Sequence, residues 1–305
     1  YKTWRKNLKE YWHDTCLDFI DYIFNTERVE SLPYVIQDIS NDEVNQFFSD
    51  EYETILVGGN HEESEGSSMH IVEHLGLEPV IIPEMQRSVN PKNDRIAYNK
   101  IQKIIQEIKI QKIAGCNVTV PFKKTVIPFL DGLSIEAEQT QSVNTITYEK
   151  NNLIGHNTDI VGFEKAIKNL KFNIKGKKVF ILGAGGVVPS IIFALGKMNV
   201  NEIIISNRTR QKADDLKNKF KTLKIIDWGN LPNFDVVINA TSLGLNNETI
   251  NIDFSNVGIK KLFYDVIYNP SLTNFLKVGK KLGNKTENGK LMFVYQASES
   301  FRLWH

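Results

Sequence analysis

The sequence predicts two α/β domains with a crevice between them, and three observations carry that prediction. The chain has 305 residues, enough for two domains that each bury a core. The run Val179-Phe-Ile-Leu-Gly-Ala-Gly-Gly186 joins a short apolar strand to a glycine turn, and Val187 to Leu195 continues it as an apolar helix. Downstream, β-rich runs alternate with helical ones, the order of a parallel sheet. At such a turn small residues let backbone N–H groups approach phosphates, and the helix N-terminus adds partial positive charge. Taken alone, glycines 183, 185 and 186 also suit an ordinary strand-to-helix turn.

Composition narrows the function classes. A net charge of +1 gives no field to steer the chain toward nucleic acid or an anionic membrane. Two cysteines, Cys16 and Cys116, lack metal-ligand spacing and fit a reduced, cytoplasmic setting; no metal site is expected. The stretch Val179–Leu195 approaches membrane-span length, but its glycines and Pro189 divide it into strand, turn and helix. No secretory signal is visible, and a start at Tyr1 suggests a fragment or a processed product.

In chain order, residues 1–50 carry a helical pattern from Trp4 to Phe24, a short strand at Leu32–Ile36 and a short helix from Asn41 to Phe48. Residues 51–170 are expected to form the substrate domain. Strands are predicted at 54–59 and 79–82, with helices near 69–75 and 94–109, a β-α-β-α order suited to parallel pairing. Further strands are predicted over 115–123 and 141–146, and a helix opens after Gly155-His-Asn-Thr-Asp159. After a linker at 170–177, the nucleotide-binding domain spans 171–288, with strands at 179–182, 202–206, 225–228, 235–242 and 261–267. A last helix over 291–304, within a segment 289–305, is expected to return to the substrate domain.

The end of the second strand of that domain selects the cofactor. A site for NAD would place Asp or Glu there to bind the ribose 2′-hydroxyl. This chain has Asn207-Arg208-Thr209, with Arg210 and Lys212 beyond. A guanidinium stacks on adenine and pairs with a 2′-phosphate, so NADP is expected; a solvated basic turn is the alternative. Lys123 at a strand end, beside a carboxylate such as Asp159, would relay the proton of an alcohol undergoing hydride transfer. By themselves these residues read as a surface lysine and a helix-capping aspartate. His156 reads as structural or exposed.

From about Gly115 onward the chain resembles the shikimate dehydrogenase family. The motifs occur in one order: NVTVPFK at 117–123, SVNT at 142–145, NTD at 157–159, GAGG at 183–186, NRT at 207–209, NATSLG at 239–244, YDVIYNP at 264–270, NG at 288–289 and YQASESFRLW at 295–304. The resemblance implies a Rossmann NADP-binding domain and NADP-dependent reduction of 3-dehydroshikimate to shikimate, a step of aromatic amino-acid biosynthesis. It implies acid/base roles for Lys123 and Asp159, and substrate contacts from Thr119, Asn144, Tyr268 and Gln296. Gly183, Ala184, Gly185, Gly186 and Val187 would hold the pyrophosphate, and Asn207, Arg208, Thr209 and Lys212 the 2′-phosphate end. Val266 and Gly289 would lie near the nicotinamide. Quinate is the neighbouring substrate, and an NADP-binding protein with a defective substrate domain is the rival reading.

The N-terminal region departs from the family pattern. A Ser-x-Ser-Pro-x-x-His-Asn motif, whose serines hold the substrate carboxylate, has no clear match. Ser64 and His70 keep its serine-to-histidine spacing, with Gly66 at the second serine, so Ser64 is the candidate anchor. Residues 52–108 instead resemble the N-terminal lobe of nucleotide-sugar glycosyltransferases, in the phrases YETILVGG, EHLGLEPVIIPEM and NPKND. A fusion joint near 107–113, or a degenerate N-terminus, would explain that wording.

Overall fold

A computed structural model of the chain describes residues 57–58, 80–81, 91–111, 113–119 and 122–304. The elements expected before residue 57, the helix near 69–75 and Ser64 lie outside the described residues. Residues 1–100 and 101–305 form two compact units. In the first, β1 (Val57–Gly58) pairs in parallel with β2 (Val80–Ile81), Val57 facing Val80. Both strands fall within the predicted runs.

Helix α1 (Pro91–Lys109) carries the predicted 94–109 pattern, and its C-terminal turns bury Ile105 and Ile108. Around them the second unit builds a small sheet from β3 (Gly115–Asn117), β4 (Gly132–Leu133), β5 (Thr145–Glu149) and β6 (Asn152–His156), in the order β3-β5-β6-β4. Its helix α2 (Ile135–Thr140) starts at Ser134, whose hydroxyl accepts from Ala137 N at 3.2 Å. Val126, Ala137, Val143, Ile146 and Leu153 complete the core with the two α1 isoleucines.

This sheet is mixed, because β5 and β6 form an antiparallel hairpin whose two-residue turn, Lys150-Asn151, is left-handed at both positions (φ 50° and 67°), and it corrects one expectation. Such a turn matches the twist of paired strands. The strand predicted from 141 begins at Thr145, since Gln141 closes α2 in the left-handed conformation (φ 49°). Residues 142–144 are thereby released into a loop.

After α3 (Asp159–Asn169) the chain enters a six-stranded, wholly parallel sheet. Its strands are β7 (Lys178–Leu182), β8 (Glu202–Ser206), β9 (Lys224–Ile225), β10 (Val236–Asn239), β11 (Leu262–Asp265) and β12 (Lys285–Glu287). They alternate with α4 (Val188–Lys197), α5 (Arg210–Lys219) and α6 (Asn274–Lys281), and the described chain closes with α7 (Lys290–Trp304). The spatial order is β12-β11-β10-β7-β8-β9. The chain thus runs outward from β7 in one direction and returns to its other side at β10, the reversal that opens a crevice in doubly wound sheets.

Strand alternation sorts the two faces. Val179, Ile181, Ile203, Ile205, Val236, Ile238, Leu262 and Tyr264 pack under α3, α4 and α7. Phe180, Leu182, Ile204, Val237 and Phe263 face the opposite layer with Phe234, Phe254 and Phe275. The helix α6 and strand β12 were not anticipated from the sequence. Thr273 caps α6 by accepting from Leu276 N at 3.3 Å, a local signal that was there to be read. Phe263 is fully buried with its ring edge-on to Phe234 and Phe254. Phe263→Ala is expected to cost about 3–5 kcal/mol, read as a lower midpoint in thermal or urea unfolding.

Candidate functional site

The glycine turn sits where the sheet reverses. Gly183 has φ +107°, and a Cβ there would lie 2.6 Å from the Ala240 carbonyl oxygen at the end of β10. Glycine is therefore required by conformation and by close approach together. Gly185 and Gly186 are exposed, Ala184 is half-buried, and Val187 precedes α4 without offering a side-chain cap. The helix N-terminus stays open toward the crevice.

At the end of β8, the Asn207 side-chain amide donates to the Thr209 carbonyl at 2.8 Å and fixes the turn. Arg210 is engaged by Asp227 at 2.5 Å and Asp214 at 3.3 Å. Arg208 and Lys212 are exposed and make no ion pair among the described residues.

Across a cavity from the glycine turn, Lys123 Nζ lies 2.6 Å from Asp159 Oδ2, with side chains 15% and 8% exposed. Lys123 is held by a tight turn in which Phe122 N donates to Thr119 O at 2.8 Å and Val126 N to Phe122 O at 3.1 Å. Its own carbonyl accepts from Val143 N at 2.8 Å. Asp159 opens α3, where a carboxylate complements the helix dipole.

Asn144 ties the pair to its surroundings. Its amide nitrogen donates to Asp159 Oδ1 and to Thr158 Oγ1, both at 2.9 Å, and approaches Gln296 Oε1 at 3.3 Å. Its carbonyl oxygen accepts from Thr158 N at 2.8 Å. Gln296 reaches this point because Gly162 lets α7 lie directly on α3: a Cβ there would meet Met292 O at 2.6 Å. Below, Ser300 bonds Thr145 at 2.7 Å and Asn117 at 3.0 Å. Gly162, Asn117, Thr158 and Ser300 were not singled out by sequence reasoning, since their partners are remote along the chain.

A cavity of about 620 Å³ joins the lysine turn to the glycine turn, lined by Lys123, Ser142, Ala184, Gly185, Gly186 and Lys212 among others. Ser142 Oγ is buried beside it without a hydrogen-bond partner, as expected of a polar atom that meets a bound molecule. With its bare glycines and the Lys212 cation, this lining fits a phosphorylated dinucleotide.

The remaining candidates lie along the strand ends. Gly289 packs so closely that a Cβ would fall 2.0 Å from Val266 O, and its N–H donates to Ile267 O at 3.1 Å. Asp265, fully buried, accepts from Asn239, Ile267 N and Thr273, at 3.0, 3.0 and 2.6 Å. Burial nevertheless pushes its carboxyl above the usual range. Tyr268 is exposed and stacks on Phe293 with ring centres 4.9 Å apart. Thr119 is exposed near the Lys123 turn. His156 lies on β6 within reach of Thr147 (3.0 Å) and Glu149 (3.2 Å), a structural setting.

A doubly wound nucleotide-binding sheet whose switch point faces a Lys–Asp pair defines the class of two-lobed, dinucleotide-dependent dehydrogenases. Comparison with known proteins carries this further. The family model for the shikimate dehydrogenase substrate binding domain matches residues 85–146, and that for shikimate / quinate 5-dehydrogenase matches 164–252. The chain is 54% identical over 209 residues to a shikimate dehydrogenase (NADP(+)) of Pelagibacter ubique, covering 68% of this chain and 79% of the relative. With that of Clostridium botulinum (strain Hall) it shares 31% over 256 residues, 83% of this chain and 96% of the relative. The chain belongs to the shikimate dehydrogenase family.

Among solved structures, shikimate dehydrogenase from Aquifex aeolicus aligns with a TM-score of 0.64 at 30% identity, over 85% of this chain and 94% of that one. The enzyme of Thermus thermophilus, solved with NADP(H) and shikimate, gives 0.64 at 28%, over 82% and 92%. The family match begins at residue 85 and runs unbroken through 107–113, where the wording of the sequence suggested a joint. Gly183→Ala is expected to destabilise the protein by about 1–3 kcal/mol through backbone strain and contact with Ala240, and to weaken dinucleotide binding. Thermal unfolding with and without NADP measures both.

Proposed function

We propose that this chain catalyses the NADP-dependent reduction of 3-dehydroshikimate to shikimate. The observation that carries the proposal is the Lys123–Asp159 pair, 2.6 Å apart, with Lys123 lining the same cavity as the glycine turn. When bound, NADPH supplies the hydride. Lys123 holds a proton at Nζ and delivers it to the carbonyl oxygen as that oxygen becomes an alkoxide; the carbon gains the hydride and the oxygen the proton. Asp159, fixed by Asn144, orients the ammonium group and accepts from a substrate hydroxyl. Thr119, Asn144, Tyr268 and Gln296 bind the ring hydroxyls, and Ser64 is the proposed carboxylate contact.

Gly183, Ala184, Gly185, Gly186 and Val187 would hold the pyrophosphate with backbone N–H groups and the open end of α4. Asn207, Arg208, Thr209 and Lys212 would hold the adenosine 2′-phosphate, with Val266 and Gly289 against the nicotinamide. On this reading residues 51–170 are the substrate domain, 171–288 the NADP-binding domain, and 289–305 a helix returning to the first. Two cysteines without metal-ligand spacing support a cytoplasmic setting. Among the described residues no helix is long and apolar enough to cross a membrane.

Purified protein mixed with NADP+ and shikimate should generate NADPH, followed by absorbance, with quinate as the parallel substrate. Lys123→Ala is expected to lower kcat about 10²-fold or more while NADP+ still binds. NADP+ binding without turnover by the wild type would favour a non-catalytic binding protein. Arg208→Ala is expected to raise the KM for NADPH about tenfold or more and that for NADH by much less, because only NADPH loses a charge-assisted contact while both lose the stacking on adenine. Initial rates with the two cofactors check it.

A further inference from the structure

We propose that Asn157 is a positioning residue that ties the seating of the cofactor helix α4 to the geometry of the Lys123–Asp159 pair, through Ser190 and Thr140. The inference rests on the reaction proposed above. Asn157, Ser190 and Thr140 are 4%, 0% and 1% exposed, so their polar groups have only one another and nearby backbone to bond. The Thr140 hydroxyl donates to Glu136 O at 2.6 Å, which leaves its oxygen to accept. That orients the Asn157 carboxamide, whose nitrogen donates to Thr140 Oγ1 and to Ser190 Oγ, each at 2.9 Å. Ser190 Oγ lies 3.3 Å from Asn157 Oδ1 and returns a donor to it.

The two ends of this bridge have separate duties. Ser190 lies in the first turn of α4, directly beyond the glycine turn, where the pyrophosphate would be held. Asn157 stands two residues before Asp159. The intervening Thr158 is pinned by its N–H to Asn144 Oδ1 at 2.8 Å and by its carbonyl to Gly162 N at 2.9 Å, so the segment has no slack. A second tie comes from α5, where Lys219 Nζ donates to the Thr140 carbonyl at 2.7 Å. Of the helices that flank the phosphate region, α5 is therefore anchored on Thr140 directly and α4 through Asn157. A shift of α4 on cofactor binding is passed to the Asp159 carboxylate, and by reciprocity substrate held at Asp159 tightens the cofactor site.

The test compares full-length wild type with Ser190→Ala, Thr140→Val and Thr140→Ser. Thr140→Val keeps the shape and removes the hydroxyl; Thr140→Ser keeps the hydroxyl. Single-turnover hydride transfer is followed by NADPH absorbance, and calorimetry gives NADPH affinity with and without shikimate, a pair that cannot react. Ser190→Ala and Thr140→Val are expected to slow the transfer about tenfold, with NADPH affinity alone changed less than about twofold and Thr140→Ser near wild type. The factor by which shikimate tightens NADPH should fall toward one in the two slow variants. Wild-type rates and coupling in folded Ser190→Ala and Thr140→Val overturn the proposal, as does a loss confined to melting temperature, which marks a merely structural bridge. A wild type that turns over neither 3-dehydroshikimate nor quinate overturns the reaction itself; an active wild type with indifferent variants overturns only the coupling.

Discussion

The hydrogen bonds of one buried carboxamide, that of Asn144, hold the candidate site together. An ammonium and a carboxylate withdrawn from water lose more solvation than their attraction returns unless their remaining valences are met. Asn144 meets them on the Asp159 side at 2.9 Å while its oxygen fixes the Thr158 backbone at 2.8 Å. Removing that amide would leave Asp159 Oδ1 short of a donor and loosen the start of α3. The loop that carries Asn144 exists because Gln141 ends α2 in a left-handed conformation.

The parallel sheet supplies the complementary constraint. Its four inner strands are buried on both faces, so their ends are the places where backbone groups are free to meet a ligand. The reversal between β7 and β10 opens such a place, and Gly183 keeps it open by presenting no side chain to Ala240. The Asp265 network does for β10 and β11 what Asn144 does for the opposite lobe. It satisfies a buried carboxyl and in doing so sets where the loop after β11, with Val266 and Ile267, must run.

Legibility in the sequence followed the distance over which each feature is decided. The glycine turn, the β8 end and strands β7 and β8 are local and were read close to their observed limits, whereas β9, β10 and β11 end two or three residues before the predicted runs do. Lys123 and Asp159 were legible as a pair through the ordered motifs; spacing alone left them a surface lysine and a helix cap. The antiparallel β5–β6 hairpin escaped because Lys150-Asn151 is an unusual left-handed pair for a tight turn. Gly162 escaped because its role is defined by α7, more than a hundred residues downstream. Helix α6 and strand β12 were passed over where Lys and Gly dilute the apolar pattern.

The place of α7 has a consequence for how the molecule is made. Ser300 bonds Asn117 across 183 positions, and the Trp304 indole donates to the Ile146 carbonyl across 158. During synthesis the small mixed sheet leaves the ribosome long before the helix that finishes it. Until then Asn117, Thr145 and the Ile146 carbonyl lack the bonds that Ser300 and Trp304 supply, and a partly finished sheet is open to wrong partners. The parallel sheet, complete through β12, is by that moment ready to serve as the platform on which the last helix docks. The contact of Gln296 with Asn144 therefore forms only after α7 has been made, later than every other described element of the site.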